Sequence, residues 1–301
     1  MTKRFAYTTM DDPNEQIRLL HIAVTSRGER LATLTGPYFL LYAPKYAAIS
    51  YTWGRSEPKV SIVVSGQRID VTENCAYVLS QLPRAGRNYF WIDSVCINQA
   101  DLEEKSAQVQ LMGEIFVTAE TVMASIGGHG GDSPWLFDTV REFAELSSSD
   151  RRRTTFDMIR LSSALLRLGR RTYWQRLWIV QEILLGSEVI LVCGEKELSL
   201  RQLASMCAWF NRRTDPSRLL PSALNRQTPM IKIIQAKLSC ISESRSIYMS
   251  ASKPSLWDML RYVQSSQCAD VRDRVYGIVS TVTWPKHLPP IKTDYRMSVL
   301  N

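Results

Sequence analysis

Three short apolar runs, at residues 46–51, 89–92 and 121–126, are separated by segments of helical periodicity, and this alternation constrains the fold more than any other feature of the chain. Apolar runs of four to six residues without polar alternation read as strands buried on both faces. Buried strands alternating with helices predict a mostly parallel sheet with helices packed on it. Between the first two runs, residues 60–64 and 68–71 flank Ser65-Gly66-Gln67, a hairpin signal. Thr72 then N-caps a helix that carries Cys75, Val78, Leu79 and Leu82 and ends at Pro83. Asp101 with Glu104 predicts a capping box, opening a helix with Val109, Met112, Phe116 and Ala119 on one stripe. Upstream, residues 17–22 and 38–42 read as strands.

Beyond Gly127-Gly128-His129-Gly130-Gly131 the pattern turns helical, with segments expected at 133–146, 154–168 and 173–185. Residues 188–193 read as a strand turned at Gly194, and Ser199 caps a helix to about residue 211. A polar, proline-containing loop is expected at 212–227, then helices near 228–241, 255–265 and 270–282. The expected organisation is 1–45, strands packing on the domain; 46–186, the α/β domain proper; and 187–301, a mainly helical C-terminal extension. No clean linker separates the halves, which leaves a shared core open.

With 45% hydrophobic residues in 301, the chain can bury a sizeable core. The net charge of +8 permits contact with nucleic acid or anionic membrane and proves neither. Eight arginines (151, 152, 153, 160, 167, 170, 171 and 176) face one acid, Asp157, across 26 positions: either an anion-binding face or a solvated helix face. Aromatic residues do not interleave with them until Tyr173 and Trp174, so no nucleic acid is expected as a partner. No apolar run approaches the ~18 residues of a membrane span, and residues 1–16, with Asp11, Asp12 and Glu15, do not read as a leader. Six cysteines without a Cys-x-x-Cys pair and scattered histidines (21, 129 and 287) give no metal-site spacing, and the expected location is cytoplasmic with reduced thiols. No phosphate-binding glycine motif occurs, and without a Gly-x-Ser-x-Gly elbow His129 reads as a loop residue.

Three blocks carry a family resemblance: Ala48-Ile-Ser-Tyr-Thr-Trp-Gly54; Trp91-Ile-Asp-Ser-Val-Cys-Ile-Asn-Gln99 followed by an acidic helix; and Tyr173-Trp-Gln-Arg-Leu-Trp-Ile-Val-Gln-Glu182. The Ile17-Arg-Leu-Leu20 strand and Arg272-Asp-Arg-Val-Tyr-Gly277 flank them. On these motifs the chain resembles the fungal heterokaryon-incompatibility (HET) domain family, whose members usually continue past a point equivalent to Thr293-Asp-Tyr295. The resemblance implies non-self recognition in a filamentous fungus ending in growth arrest or cell death. A more distant similarity is to TIR domains, through Ser50-Tyr51, Ile92-Asp93 and Trp178-x-x-x-Glu182, with 127–172 as an insertion.

Some TIR domains cleave NAD between nicotinamide and ribose. That reaction passes through an oxocarbenium-like state, which a single carboxylate can stabilise. It needs no cofactor, NAD being the substrate. Glu182 is the candidate catalytic residue. From 177 to 185 every residue but Gln181 and Glu182 is apolar, so the helix reads as buried, where a carboxylate is rarely left unpaired. Trp174, Trp178 and Glu182 at i, i+4 and i+8 share one helical face suited to a flat cationic ring. Glu182 equally fits a structural role, at a pocket rim or paired with Arg176 or Arg171. Ser50, Tyr51, Trp53 and Gly54 follow the first strand and Asp93 ends the second, at the sheet edge where ligands bind. Cys96, between Val95 and Ile97, reads as a core thiol, and Asn98 and Gln99 as loop-fixing amides. Two mechanisms stay open: an NAD-consuming enzyme, or an inert module that assembles with itself or with an incompatibility partner.

Overall fold

The computed structural model describes residues 3–84, 86–213, 228–242, 254–284 and 289–298. Residues 214–227 of the expected loop, and His287, lie outside them. The chain begins with an antiparallel pair, β1 (Gln16–Val24) and β2 (Arg30–Phe39). It continues through β3 (Ala47–Tyr51), the β4–β5 hairpin (Lys59–Val64 and Gln67–Thr72), α1 (Glu73–Ser80) and β6 (Tyr89–Trp91). A one-turn α2 (Asp93–Cys96), the long α3 (Leu102–Thr118) and β7 (Thr121–Ser125) follow. Next come α4 (Ser133–Glu145), α5 (Ser148–Arg153), α6 (Met158–Gly169), α7 (Ile179–Leu185), β8 (Val189–Cys193) and β9 (Lys196–Ser199). The remaining helices are α8 (Leu200–Arg213), α9 (Pro229–Ser242), α10 (Leu256–Tyr262) and α11 (Asp273–Tyr276).

Seven strands form one sheet in the order β2-β1-β6-β3-β7-β8-β9. Its centre, β6-β3-β7-β8, is parallel, and antiparallel strands close both edges. Numbered along the chain, the four parallel strands run 2-1-3-4, the order of flavodoxin-like doubly wound domains. All five residues of β3 are buried, because both faces of the sheet are covered. Side chains alternate as the pleat demands. Tyr46 reaches α3, its hydroxyl donating to the Ile115 carbonyl at 2.7 Å, and Ser50 faces α7. Tyr51 faces α1 and donates to Ser94 Oγ at 2.7 Å. The fold is therefore the α/β class expected, a mostly parallel sheet between helices with a helical C-terminal region. One hydrophobic core runs from Ile17 to Tyr295.

Several local expectations are corrected. The strand expected at 38–42 ends at Phe39, and Leu40–Tyr42 is a 3-10 turn. Thr72 caps α1 by accepting from the Cys75 amide, and Asp101 caps α3 by accepting from Glu103 and Glu104. The capping box is left half-made, because the Glu104 side chain turns away to a buried partner. Arg18 on β1 donates to Glu104 Oε1 and Oε2 at 2.7 and 2.9 Å and to the Cys96 carbonyl at 3.1 Å. Glu104 also accepts from the Asn98 amide at 2.7 Å. The recognisable segment 91–99 is thus clamped from both sides by one ion pair. Cys96 is wholly buried and its thiol is pushed up to about 12, as a core thiol would be.

The helix expected over 173–185 is broken. Thr172–Gln175 is a 3-10 turn, Arg176 is extended (ψ 139°), and α7 starts only at Ile179. The break is made by pairing with a distant strand-like residue: Gln267 donates to the Gln175 carbonyl (2.6 Å) and accepts from the Leu177 amide (2.9 Å). The helix expected at 270–282 reduces to α11 and a 3-10 turn at Val279–Thr281.

The arginine-rich run also does not form one face. Arg160 and Arg167 pair with Asp132, and Arg171 donates to the Ile126 and Gly128 carbonyls. Arg176 enters the interior beside Glu182. No helix of the described residues is long and apolar enough to cross a membrane.

Candidate functional site

A cleft of about 480 Å³ opens beyond the carboxyl ends of β3 and β6. That is the edge of a parallel sheet where ligands bind, and the volume suits a small molecule. Thr52, Trp53 and Gly54 leave β3 along one wall. Gly54 has φ +76°, and a Cβ there would sit 2.7 Å from Asn74 Nδ2, which itself holds the Thr52 carbonyl at 2.9 Å. Only glycine meets both conditions. Asp93 follows β6. Its carboxylate accepts from the Trp53 indole at 2.9 Å and from the Ser94 amide at 2.7 Å. Gln99 donates to the Asp93 carbonyl at 3.0 Å, the loop-fixing role expected of it.

The opposite wall comes from the C-terminal region. Trp178 donates its indole N–H to Asp273 Oδ2 at 3.1 Å, and the Tyr295 hydroxyl donates to Asp273 Oδ1 at 2.7 Å. Burial raises the Asp273 carboxyl above its ordinary range, and these two donors offset part of that. Arg272 and Lys105 lie over the Tyr295 ring at 5.1 and 4.5 Å. Gly277 lets α11 approach closely: a Cβ there would overlap Leu177.

Glu182 lies behind the cleft. It is 2% exposed, and a directed chain of hydrogen bonds ends on it. Ser50 Oγ spends its proton on Glu182 Oε2, so the Tyr173 hydroxyl, 2.6 Å away, donates to Ser50. Arg176 Nη1 stands 3.4 Å from the same carboxylate oxygen and itself lines the cleft. Burial disfavours the Arg176 cation, but Glu182 and Asp93 more than compensate, so it stays charged. Asp93 feels the reverse balance. Burial raises its carboxyl to about 6, Arg176 pulls it down and Glu182 pushes it up.

That shift has a consequence for stability. An unfolded Asp ionises near 3.9, whereas folded Asp93 holds its proton to about 6. Stability contributed by Asp93 is complete below pH ~4 and is lost as pH rises through ~6. Asp93→Asn is therefore expected to remove a pH-dependent loss on the order of 2 kcal/mol across that window. Urea unfolding of both proteins at half-unit pH steps reads it. Parallel pH profiles would place the Asp93 carboxyl in ordinary solvent.

Of the residues singled out from sequence, Trp53, Gly54, Asp93 and Trp178 line the cleft, and Ser50 and Glu182 lie directly behind it. Tyr51 points to the other face of the sheet, against Ser94. Trp174 is also elsewhere: the break at Arg176 separates it from Trp178, and its buried indole donates to the Leu168 carbonyl at 2.9 Å. Lys105, Asp273 and Tyr295 also line the cleft, beyond the residues that the sequence singles out. The two segments carrying Asp273 and Tyr295 were recognisable as motifs, and that was their only signal. His129 is tied down, with Nε2 3.0 Å from Glu195 and Nδ1 3.3 Å from Ser133 Oγ. Among the described residues no group of His, Cys, Asp or Glu could hold a metal ion.

Fold and cleft together define a doubly wound α/β domain with a small-molecule-sized cleft at its sheet edge, part of whose lining comes from the C-terminal region. Residues 46–182 match the family model of heterokaryon incompatibility protein (HET), and that segment is similar to this family. A curated relative, heterokaryon incompatibility protein 6, OR allele, of Neurospora crassa, is 27% identical over an alignment of 258 residues that covers 67% of this chain. The chain spans 37% of the length of that relative. No solved structure matches it.

Proposed function

We propose that the protein acts in fungal heterokaryon incompatibility, in the cytoplasm, and that its cleft binds and cleaves NAD at the nicotinamide–ribose bond, with cell death as the outcome. The observation that carries the reading is the juxtaposition in and behind one cleft of two indoles, two carboxylates and one arginine: Trp53, Trp178, Asp93, Glu182 and Arg176. The more distant TIR resemblance of the same segments supports it. Indole faces suit a flat cationic ring. Nicotinamide in NAD is already a cationic leaving group, so the reaction requires stabilisation of the ribosyl cation and no general acid. Asp93 and Glu182 supply the negative charge. Arg176 is the group for the diphosphate, which guanidinium recognises bidentately. Its engagement there would free the Glu182 carboxylate toward the ribose.

A second reading is favoured by a specific feature. Glu182 is buried, receives a hydrogen bond from Ser50 and is paired with Arg176, as a purely structural carboxylate would be. On that reading the domain is inert and kills by assembling with itself or a partner protein.

NAD turnover by the purified chain separates the two. The enzyme reading expects Glu182→Ala and Glu182→Gln to lose on the order of 100-fold or more in rate, with circular dichroism and oligomeric state matched to the parent. Equal turnover in the variants would remove Glu182 from the chemistry. A protein that kills cells without consuming NAD would leave only the module.

A further inference from the structure

A second concavity lies away from the cleft, on the face made by α5 and the end of α8, and encloses about 540 Å³. Four arginines from two distant segments line it, Arg151 and Arg152 from α5 and Arg212 and Arg213 from α8. Among the described residues no acidic side chain lines it. The acid of α5, Asp150, is occupied at the start of that helix, where it accepts from the Ser147 hydroxyl at 2.6 Å.

Two of the arginines are fixed before any ligand arrives. Arg151 stacks over Phe143 at 5.0 Å and donates from Nε to the Phe143 carbonyl at 3.1 Å. Arg213 stacks over Trp209 at 4.7 Å and donates to the Thr154 carbonyl at 3.2 Å. Stacking on aromatic faces and bonding to carbonyls hold a guanidinium without neutralising it. The side chains of Arg152 and Arg212 are exposed, and among the described residues neither pairs with a carboxylate. The Ser148 and Ser205 hydroxyls complete the lining with neutral donors. Four like charges brought together repel one another, and a bound polyanion relieves that repulsion.

We propose that this groove is a binding site for a multiply phosphorylated anion, either free or carried as a lipid headgroup. Its volume exceeds one phosphate and lies in the range of small-molecule sites. The planar donor forks match phosphate oxygens bidentately. This inference does not rest on the NAD reading, since no residue is shared between the two sites.

Calorimetric titration of the full chain with sodium tripolyphosphate at physiological ionic strength tests it. The expected result is binding at least about tenfold tighter than that of orthophosphate, weakened at least about tenfold by Arg152→Gln/Arg212→Gln. Lys45→Gln/Lys59→Gln removes the same charge from exposed positions elsewhere and is expected to leave affinity unchanged. Both pairs lie at the surface, and an unchanged Tm confirms folding. Phosphatidylcholine vesicles carrying a minor fraction of phosphatidylinositol bisphosphate distinguish the sources. Sedimentation that tripolyphosphate competes away assigns a lipid headgroup, and tripolyphosphate binding without sedimentation assigns a free ligand. The proposal is overturned if tripolyphosphate binds no tighter than orthophosphate, if both double variants weaken alike, or if an oligoglutamate peptide binds as well.

Discussion

Glu104→Ala is expected to destabilise the protein by about 3–5 kcal/mol, the cost of leaving a buried charge without its partner. Arg18 is 1% exposed and Glu104 7%, and the guanidinium meets the carboxylate through two bonds of 2.7 and 2.9 Å. The alanine strands the Arg18 cation inside the core and also frees the Asn98 amide. Arg18→Met/Glu104→Leu removes both charges at similar volume and is expected to recover most of the loss, because a buried ion pair contributes little over well-packed apolar groups. Urea midpoints of the two singles and the double close the cycle. A cost for Glu104→Ala under about 1 kcal/mol would mean that the pair is solvated.

Arg176→Met is expected to have the second largest effect, about 3 kcal/mol at neutral pH. It leaves Asp93 and Glu182 facing one recess without the cation that pairs with Glu182 and pulls the Asp93 carboxyl down. The sign with pH follows from the removed charge. Without Arg176 the Asp93 carboxyl binds its proton more readily in the folded state, so the deficit shrinks as pH falls from 7 toward 5. Adding Glu182→Gln on the Arg176→Met background removes one of the two like charges and is expected to restore part of the stability. A pH-independent deficit would mean that Arg176 acts through packing alone. The same variant bears on the proposed chemistry, since Arg176 is the diphosphate group there. Its KM for NAD is expected to rise more than its kcat falls.

The parallel centre of the sheet was legible because its strands are unbroken apolar runs, and β3, β6 and β7 fall on the expected segments. The caps of α1 and α3 were legible because they are local chemistry. β2 was missed beyond its last two residues because Gly36-Pro37, a turn signal, sits within it. Those residues occupy the irregularity where its register against β1 shifts. The break at Arg176 was illegible for a different reason. The spacing of Trp174, Trp178 and Glu182 is that of one continuous helix, and the residue that breaks it, Gln267, is about ninety positions away. The site was half-visible on the same ground. Trp53, Gly54 and Asp93 follow strands that periodicity locates. Asp273 and Tyr295 reach Trp178 only through contacts across some hundred residues of chain.

The bridge between Gln175, Leu177 and Gln267 therefore does more than end a helix. It joins residues 46–182, the segment that the family model matches, to cleft residues 267–270, Asp273 and Tyr295, which lie outside it. The matched motifs and part of the cleft lining are thus carried by different stretches of polypeptide. The motif 91–99 is a chassis pinned by Arg18 and Glu104, while residues of 267–273 and Tyr295 supply lining from outside the matched segment. Two chains could share the signature to the letter and still admit different molecules.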